Sequence, residues 1–550
     1  MKRRDITISK ALYLSGLSLM LLGLPTSRFL MSISQFLLLG AWVIYGIEQI
    51  AASGIKPGLM WPLRVVENRF GCFFRQREAI IFILIFLLHG IGLLWTSDLP
   101  FGLHDLRIKL PLLLLPIVFS TLPALNQKTF NTLLFIYLFA LLAASAECIY
   151  ILFTENITDI RDISTHISHV RLALNFVAGI FFGGYYLFSG KATLSRWQRI
   201  VAGLLSGWFL FFLIFMKSPT GIIVFILTTT ILFFIYALKI QQTKIRYIIP
   251  AVIVLSLIAG VGYLSRIVQE YYSATAIPLE KLEPYTDKNN RYTHDTIHFP
   301  GIENGNYIGY YICQEELQQQ WEKRSQYSYF GKDAKQQELK VTLIRYLNSK
   351  GLRKDASGIA ALSDSDIRAI EGGVANYYYI SKFNIRGRVY QMLFGLDIYR
   401  RDNNPNGSSM LQRREYWKAG FQILRHNLLT GVGTGDLRES FTTYYEQTDS
   451  ALLPEYRHRA HNQFLSIAIA FGIPGIVLFL FALLYPPVAL KAGRSWHFSV
   501  LIIIVILSML TEDTLETQAG VTFTAFLYCL FLWGRRKPAE KSLKTRKNED

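Results

Sequence analysis

The sequence predicts an all-α polytopic membrane protein, and three observations carry that prediction. Of 550 residues, 51% are hydrophobic and 17% charged, where a soluble chain carries about a quarter charged. The apolar residues form long runs almost free of charge, and a bilayer core of ~30 Å needs about 20 such residues per helix. The Lys and Arg residues gather at the ends of those runs. With a net charge of +18, nucleic acid would be the usual partner, but that clustering is the pattern of membrane topology, so no nucleic-acid partner is expected.

About twelve membrane segments are expected by apolar length. They fall near 12–24, 29–50, 79–95, 106–122, 130–153, 172–188, 200–216, 221–238, 248–264, 463–490, 498–510 and 521–533. The loop charges set their direction. Lys2, Arg3, Arg4 and Lys10 precede the first segment, and Lys56, Arg64, Arg69, Arg75 and Arg77 follow the second. Lys191, Arg196, Arg199, Lys239, Lys244, Arg246, Lys491, Arg494, Arg535, Arg536 and Lys537 fall on the same side if the helices alternate. The opposite side carries Glu512, Asp513 and Glu516. The positive-inside rule then places both termini in the cytoplasm and the long hydrophilic insert outside. The first apolar run lacks a clear small-residue cleavage site and reads as a retained helix.

The expected organisation is a transmembrane bundle of about nine helices over 1–265, by the same length rule. A mainly helical periplasmic domain follows over 266–460, between helices nine and ten. Residues 461–535 hold about three further helices, and 536–550 form a basic cytoplasmic tail. Inside the insert, Ser363 ahead of Asp364, Asp366 and Ile367 signals a helix start. Val389, Leu393 and Leu396 share helical spacing, as do Trp417, Phe421 and Leu424. The stretch 275–305, rich in Pro, Asn, Asp and Tyr, reads as loop. Of Cys72, Cys148, Cys313 and Cys529, only Cys313 lies in the insert, so no disulfide can form within it. No Cys/His cluster suggests a metal site.

Four groups of residues can carry chemistry. His461 opens an apolar helix with Asn462, at the expected membrane boundary. An imidazole there can serve as a general base near neutral pH, or simply cap the helix. Arg386, Arg388, Arg413, Arg414, Arg171 and Lys217 supply cations on the outer side, where topology alone calls for few. Guanidinium forks suit a phosphate-bearing lipid; snorkelling or a solvated face is the structural alternative. Glu147 lies inside an apolar run, as a proton-coupled transporter would require. Gly431-Val432-Gly433-Thr434-Gly435-Asp436 lacks a preceding strand and a Gly-Lys-Ser/Thr end, so it reads as a tight turn between helices rather than a nucleotide loop.

Taken together, these residues resemble the bacterial O-antigen ligases. His461-Asn462, nine residues, then Gly472 is similar to their His-Asn/Ser/Lys-x9-Gly motif. Arg414 and Trp417 resemble the Arg-x-x-Trp element, and Gly431 to Gly435 the glycine turn. Trp95-Thr96-Ser97-Asp98 through Lys109-Leu110-Pro111 also looks like family sequence. The segment from Gly351-Leu352-Arg353-Lys354-Asp355 to Gly372-Gly373 is similar to one subgroup. The resemblance implies an inverting, metal-independent glycosyltransferase of the inner membrane without cofactors. Its donor would be a glycan on undecaprenyl diphosphate and its acceptor lipid A–core or another periplasmic molecule. His461 would activate the acceptor hydroxyl. Arg414, Arg388, Arg171 and Lys217 would bind the diphosphate, with Asn462, Arg413, Gly433 and Gly435 in support. One departure stands out: where many members carry Ser-Arg-x-Gly, this chain reads Ser218-Pro219-Thr220-Gly221. An O-antigen polymerase or a protein O-oligosaccharyltransferase would share this chemistry, and a polysaccharide flippase is the non-enzymatic alternative.

Overall fold

Long apolar runs have to satisfy their amides within the segment, and helices do so. The computed structural model describes residues 7–535 apart from 53–60, 156, 158–159, 189–193, 240–242, 274–278, 296, 298, 300 and 382–383. Lys2, Arg3, Arg4, Lys56, Lys191 and the basic tail 536–550 lie outside the described residues. The chain divides into two compact units. One holds Met1–Lys239, Tyr416–Ser450 and Arg457–Asp550; the other holds Ile240–Glu415 and Ala451–Tyr456.

The first unit begins with a tight hairpin, α1 (Ile8–Thr26) and α2 (Arg28–Ala52). The amphipathic α3 (Trp61–Phe73) follows. Then α4 (Arg77–Ile91) runs into a 3-10 turn at Gly92–Trp95. The expected segment at 106–122 is two short helices, α5 (Leu99–Ile108) and α6 (Pro111–Thr121). The break coincides with two features. Lys109 is drawn into a buried ion cluster, and Pro111 takes the first position of α6, where its missing N–H costs nothing. Four long apolar helices follow: α7 (Gln127–Thr154), α8 (His169–Phe188), α9 (Arg196–Phe215) and α10 (Pro219–Lys239).

The second unit opens with α11 (Thr243–Tyr272). Only 6% of its apolar window is buried, as suits a helix that is apolar on all sides and meets lipid. A two-stranded hairpin, β1 (Ile302–Glu303) and β2 (Asn306–Tyr307), is antiparallel. Four helices then enclose a core of Leu317, Trp321, Leu343, Leu347, Ile367 and Ile370. They are α12 (Gln314–Trp321), α13 (Leu339–Ser349), α14 (Ala356–Ala360) and α15 (Asp364–Glu371). Ser363 caps α15 in a reciprocal box with Asp366, which satisfies two amides left open at a helix start. The fully buried Glu303 accepts from Arg345 Nε and Nη2, each at 2.9 Å. Helix α16 (Ile385–Asp402) packs on α11 through Tyr390 and Tyr271.

Helix α17 (Ser409–His426) begins in the second unit and ends in the first. The first unit closes with α18 (Leu437–Gln447), α19 (Gln463–Ala489), α20 (Trp496–Thr511) and α21 (Gln518–Leu532). Every residue from Ala519 to Leu532 is buried, so α21 runs through the middle of the bundle. Among the described residues, nine helices are long and apolar enough to cross a membrane. Helices α20 and α21 are apolar but shorter, at 16 and 15 residues. The molecule is an all-α polytopic membrane protein.

Candidate functional site

The first unit concentrates its polar side chains on one turn, Glu512–Thr517, between α20 and α21. Its grip on α19 starts with Asp513. The Asp513 carboxylate accepts from the backbone N–H of Asn462 at 3.2 Å and from Ser466 Oγ at 2.7 Å. An anion held at a helix start is favoured by the open amides and the helix dipole. Asn462 adds to this as the N-cap: its Oδ1 accepts from Leu465 N at 3.0 Å, and its Nδ2 donates to Leu510 O at 3.1 Å.

His461 sits one residue ahead of that cap with φ at 46°. This left-handed backbone is costly outside glycine and is held here by the turn beneath it. Its Nδ1 lies 3.8 Å from Glu512 Oε2, and the imidazole side chain is 36% exposed. The exposure decides what the ring can do, because an open edge remains for a second partner. Tyr416 and His458 flank it with ring centroids at 5.7 and 5.8 Å. Trp417 Nε1 donates to Ala460 O at 3.0 Å and fixes the segment that delivers the histidine.

Beneath the turn lies a buried cluster with two cations and two carboxylates. Lys109 Nζ, wholly buried, donates to both oxygens of Asp105 at 2.6 Å and to Glu516 Oε2 at 3.2 Å. Arg459 Nη1 reaches the same Glu516 oxygen at 3.3 Å, and Gln463 Nε2 donates to Glu516 Oε1 at 3.2 Å. Burial alone would push the Glu516 carboxyl up, but Lys109 and Arg459 hold it well below the ordinary carboxylate range. The cluster is formally neutral, as a buried set of charges has to be.

Arg171 approaches the turn from α8. It is 7% exposed, and its Nη2 donates to Asp513 O at 2.9 Å. Among the described residues its Nε and Nη1 have no hydrogen-bond partner. An unsatisfied buried guanidinium is costly, and a ligand anion would relieve it. His169, two residues earlier, bonds through Nε2 to Met216 O at 2.9 Å and ties α8 to the end of α9. Lys217 follows there in a left-handed conformation. Pro219 is the first residue of α10, so this proline serves to start a helix.

The glycine turn supports the site from below. Gly431 and Gly433 have φ of 68° and 95°, and a Cβ on Gly433 would lie 2.5 Å from Thr96 Oγ1. A Cβ on Gly435 would meet Asp98 O at 2.1 Å. The turn pairs with α19 where that helix opens: Val432 N donates to Ile469 O and Gly433 N to Ala470 O, each at 2.9 Å. Ile473 N donates back to Leu428 O at 2.8 Å. The opening is at Gly472, with φ 67° and ψ −170°. Asp436 then accepts from Ser97 N and Asp98 N at 2.7 Å.

The structure thus joins His461, Asn462 and Arg171 through one acidic turn, with Gly433 and Gly435 packed below α19. Arg388, Arg413 and Arg414 belong to the second unit. Arg388 is exposed, with Nη1 3.5 Å from Gln391 Oε1, and Arg414 lies over the Tyr399 ring at 4.9 Å. Glu147 pairs with His166 at 2.9 Å. Sequence reasoning missed Asp105, Lys109, Arg459 and Tyr416, and assigned no role to Glu512. The one available signal was the Asp105/Lys109 pair, four residues apart beside an apolar run, a spacing that lets helix side chains meet.

No curated protein matches the chain. Residues 372–480 match the family model described as O-antigen ligase. The matched stretch includes Arg388, Arg413, Arg414, the glycine turn, His461, Asn462 and Gly472. Within a multi-pass helical bundle, residues 372–480 are thus similar to the O-antigen ligase family, and this domain supports a place in the O-antigen ligase and polymerase superfamily.

Proposed function

We propose that the protein is an O-antigen ligase-type glycosyltransferase. It transfers a glycan from undecaprenyl diphosphate to a periplasmic acceptor, the lipid A–core of lipopolysaccharide, with inversion and without a metal. It lies in the inner membrane with both termini in the cytoplasm and the long insert in the periplasm. The O-antigen ligase domain supports the reaction class. The observation that carries the mechanism is His461 set against Glu512, on the acidic turn that also receives the buried Arg171.

The acceptor hydroxyl attacks the anomeric carbon of the donor. Its proton passes to His461 Nε2 while Nδ1 faces the Glu512 carboxylate, which opposes the imidazolium charge. The bond from the anomeric carbon to the diphosphate oxygen breaks, and its electron pair leaves with the diphosphate. Neutralising that charge is the main electrostatic task. Among the described residues two Arg171 nitrogens, Nε and Nη1, still have hydrogens to give, and guanidinium stays charged at any relevant pH. Lys217, Arg388 and Arg414, with Arg413 in support, take the donor-binding roles that the resemblance implies.

The test is glycan analysis of a deletion strain. Loss of long glycan from lipid A–core with lipid-linked polymer accumulating is expected. Loss of polymer length alone would make the protein a polymerase, missing glycoprotein bands would make it a protein transferase, and unchanged glycans would overturn the transferase reading.

A further inference from the structure

A groove of about 700 Å³ opens on the first unit between α2, α5, α6 and the turn before α21. Its two faces differ in kind. Arg28, His104 and Arg107 supply the polar rim, while Phe36, Leu39 and Leu114 line the apolar wall. Phe36 is 74% exposed on a helix long and apolar enough to cross a membrane, so that wall faces lipid.

The rim cations are spare. Arg28 uses only Nε, donating to His166 O at 3.0 Å. Arg107 Nη2 donates to His104 Nδ1 at 3.0 Å. Among the described residues neither guanidinium pairs with a carboxylate. The one acid in the lining, Glu516, is already engaged by Lys109 and Arg459. The groove is also built rather than incidental. Gln518 Nε2 donates to Ser32 Oγ at 2.8 Å and to Arg28 O at 3.3 Å, clamping the start of α2 to the start of α21. Snorkelling would explain one arginine at a helix end. It does not explain two, from different helices, converging on one concavity with an apolar floor.

We propose that this groove binds a membrane lipid with a net-anionic phosphate head, its phosphate on Arg28 and Arg107 and its chains along Phe36, Leu39 and Leu114. Charge complementarity selects the head, and the exposed apolar wall selects an occupant with chains over a free phosphate. The inference does not depend on glycan transfer.

The test uses the purified full-length chain with equimolar phosphatidic acid and phosphatidylcholine, read by native mass spectrometry of retained lipid. The wild type should retain phosphatidic acid in preference. Arg28→Gln with Arg107→Gln should lower that preference at least about tenfold, the loss of two charge-assisted contacts. Arg107→Gln alone, which removes only the His104 contact, should lower it partway with an unchanged melting temperature. Equal retention of both lipids, retention unaffected by the substitutions, or displacement of the lipid by glycerol 3-phosphate would overturn the proposal. A chain that retains the lipid but transfers no glycan would keep this site and lose the proposed activity.

Discussion

His461 Nδ1 and Glu512 Oε2 face each other at 3.8 Å across the junction of two helix ends. The separation is longer than a hydrogen bond and shorter than the reach of a screened charge. Glu512 can therefore stabilise the imidazolium formed as the acceptor loses its proton. Glu512→Gln should lower kcat by about 10–100-fold and leave the donor KM nearly unchanged, because the group acts on the protonated base. Steady-state transfer with purified donor checks this, and an unchanged kcat would remove Glu512 from the site.

The buried cluster makes a stability prediction. Lys109→Met leaves Asp105 and Glu516 under-compensated and should cost ~3–5 kcal/mol. Adding Glu516→Gln restores neutrality and should recover at least half of that. Thermal unfolding of the two variants tests the coupling; a double variant no more stable than Lys109→Met alone would mean that the Glu516 charge is not what Lys109 compensates.

Gly472 is a backbone requirement. A Cβ there would lie 2.6 Å from the carbonyls of Leu428 and Leu429, at a φ of 67°. Gly472→Ala should destabilise the protein by at least ~2 kcal/mol, seen as loss of folded material after purification. Wild-type yield and melting would show that α19 does not depend on this opening.

The parts of this fold that were legible in the sequence are those set by local chemistry. Apolar length marked the membrane helices, and Ser363 with Asp366 marked the start of α15. The glycine run was read as a turn between helices, and it joins α17 to α18. The same local logic marked His461 and Asn462, because a polar pair must open α19. Local chemistry also misled: 106–122 looked continuous because Leu and Pro dominate it. The side chain at the break, Lys109, finds its partner Glu516 at a separation of 407 residues. No periodicity encodes a contact at that distance. Arg171 was visible as a charge beside an apolar run, whereas its two nitrogens unpartnered among the described residues depend on how α8 meets α21.

In the second unit, Lys354 gives a pH prediction. Its Nζ donates to Asn348 Oδ1 at 2.8 Å and to Tyr307 O at 3.3 Å, with no carboxylate partner among the described residues. Burial pushes the amine down to about 7 from an ordinary 10.5. Between those values the unfolded chain binds more protons, so stability should rise with pH from about 7 to 10.5, by at most ~1.4 kcal/mol per pH unit, and be flat below 7. Hydrogen exchange in α13 and α14 of the full chain reads this, and Lys354→Met should flatten the profile. An unchanged slope in that variant would assign the dependence elsewhere.

Charge neutralisation by arginine also predicts insensitivity to chelators. Transfer should keep its rate within about twofold after EDTA treatment, since guanidinium needs no metal to meet the diphosphate. A tenfold loss restored by a divalent cation would contradict that assignment.

The central claim is that His461 takes the acceptor proton. Its most direct test is single-turnover transfer by purified His461→Ala from a defined lipid-linked glycan, with donor binding measured on the same sample. Loss of a positioned base predicts a rate lower by ~10²–10⁴-fold with donor affinity unchanged. Transfer at the wild-type rate would contradict the account.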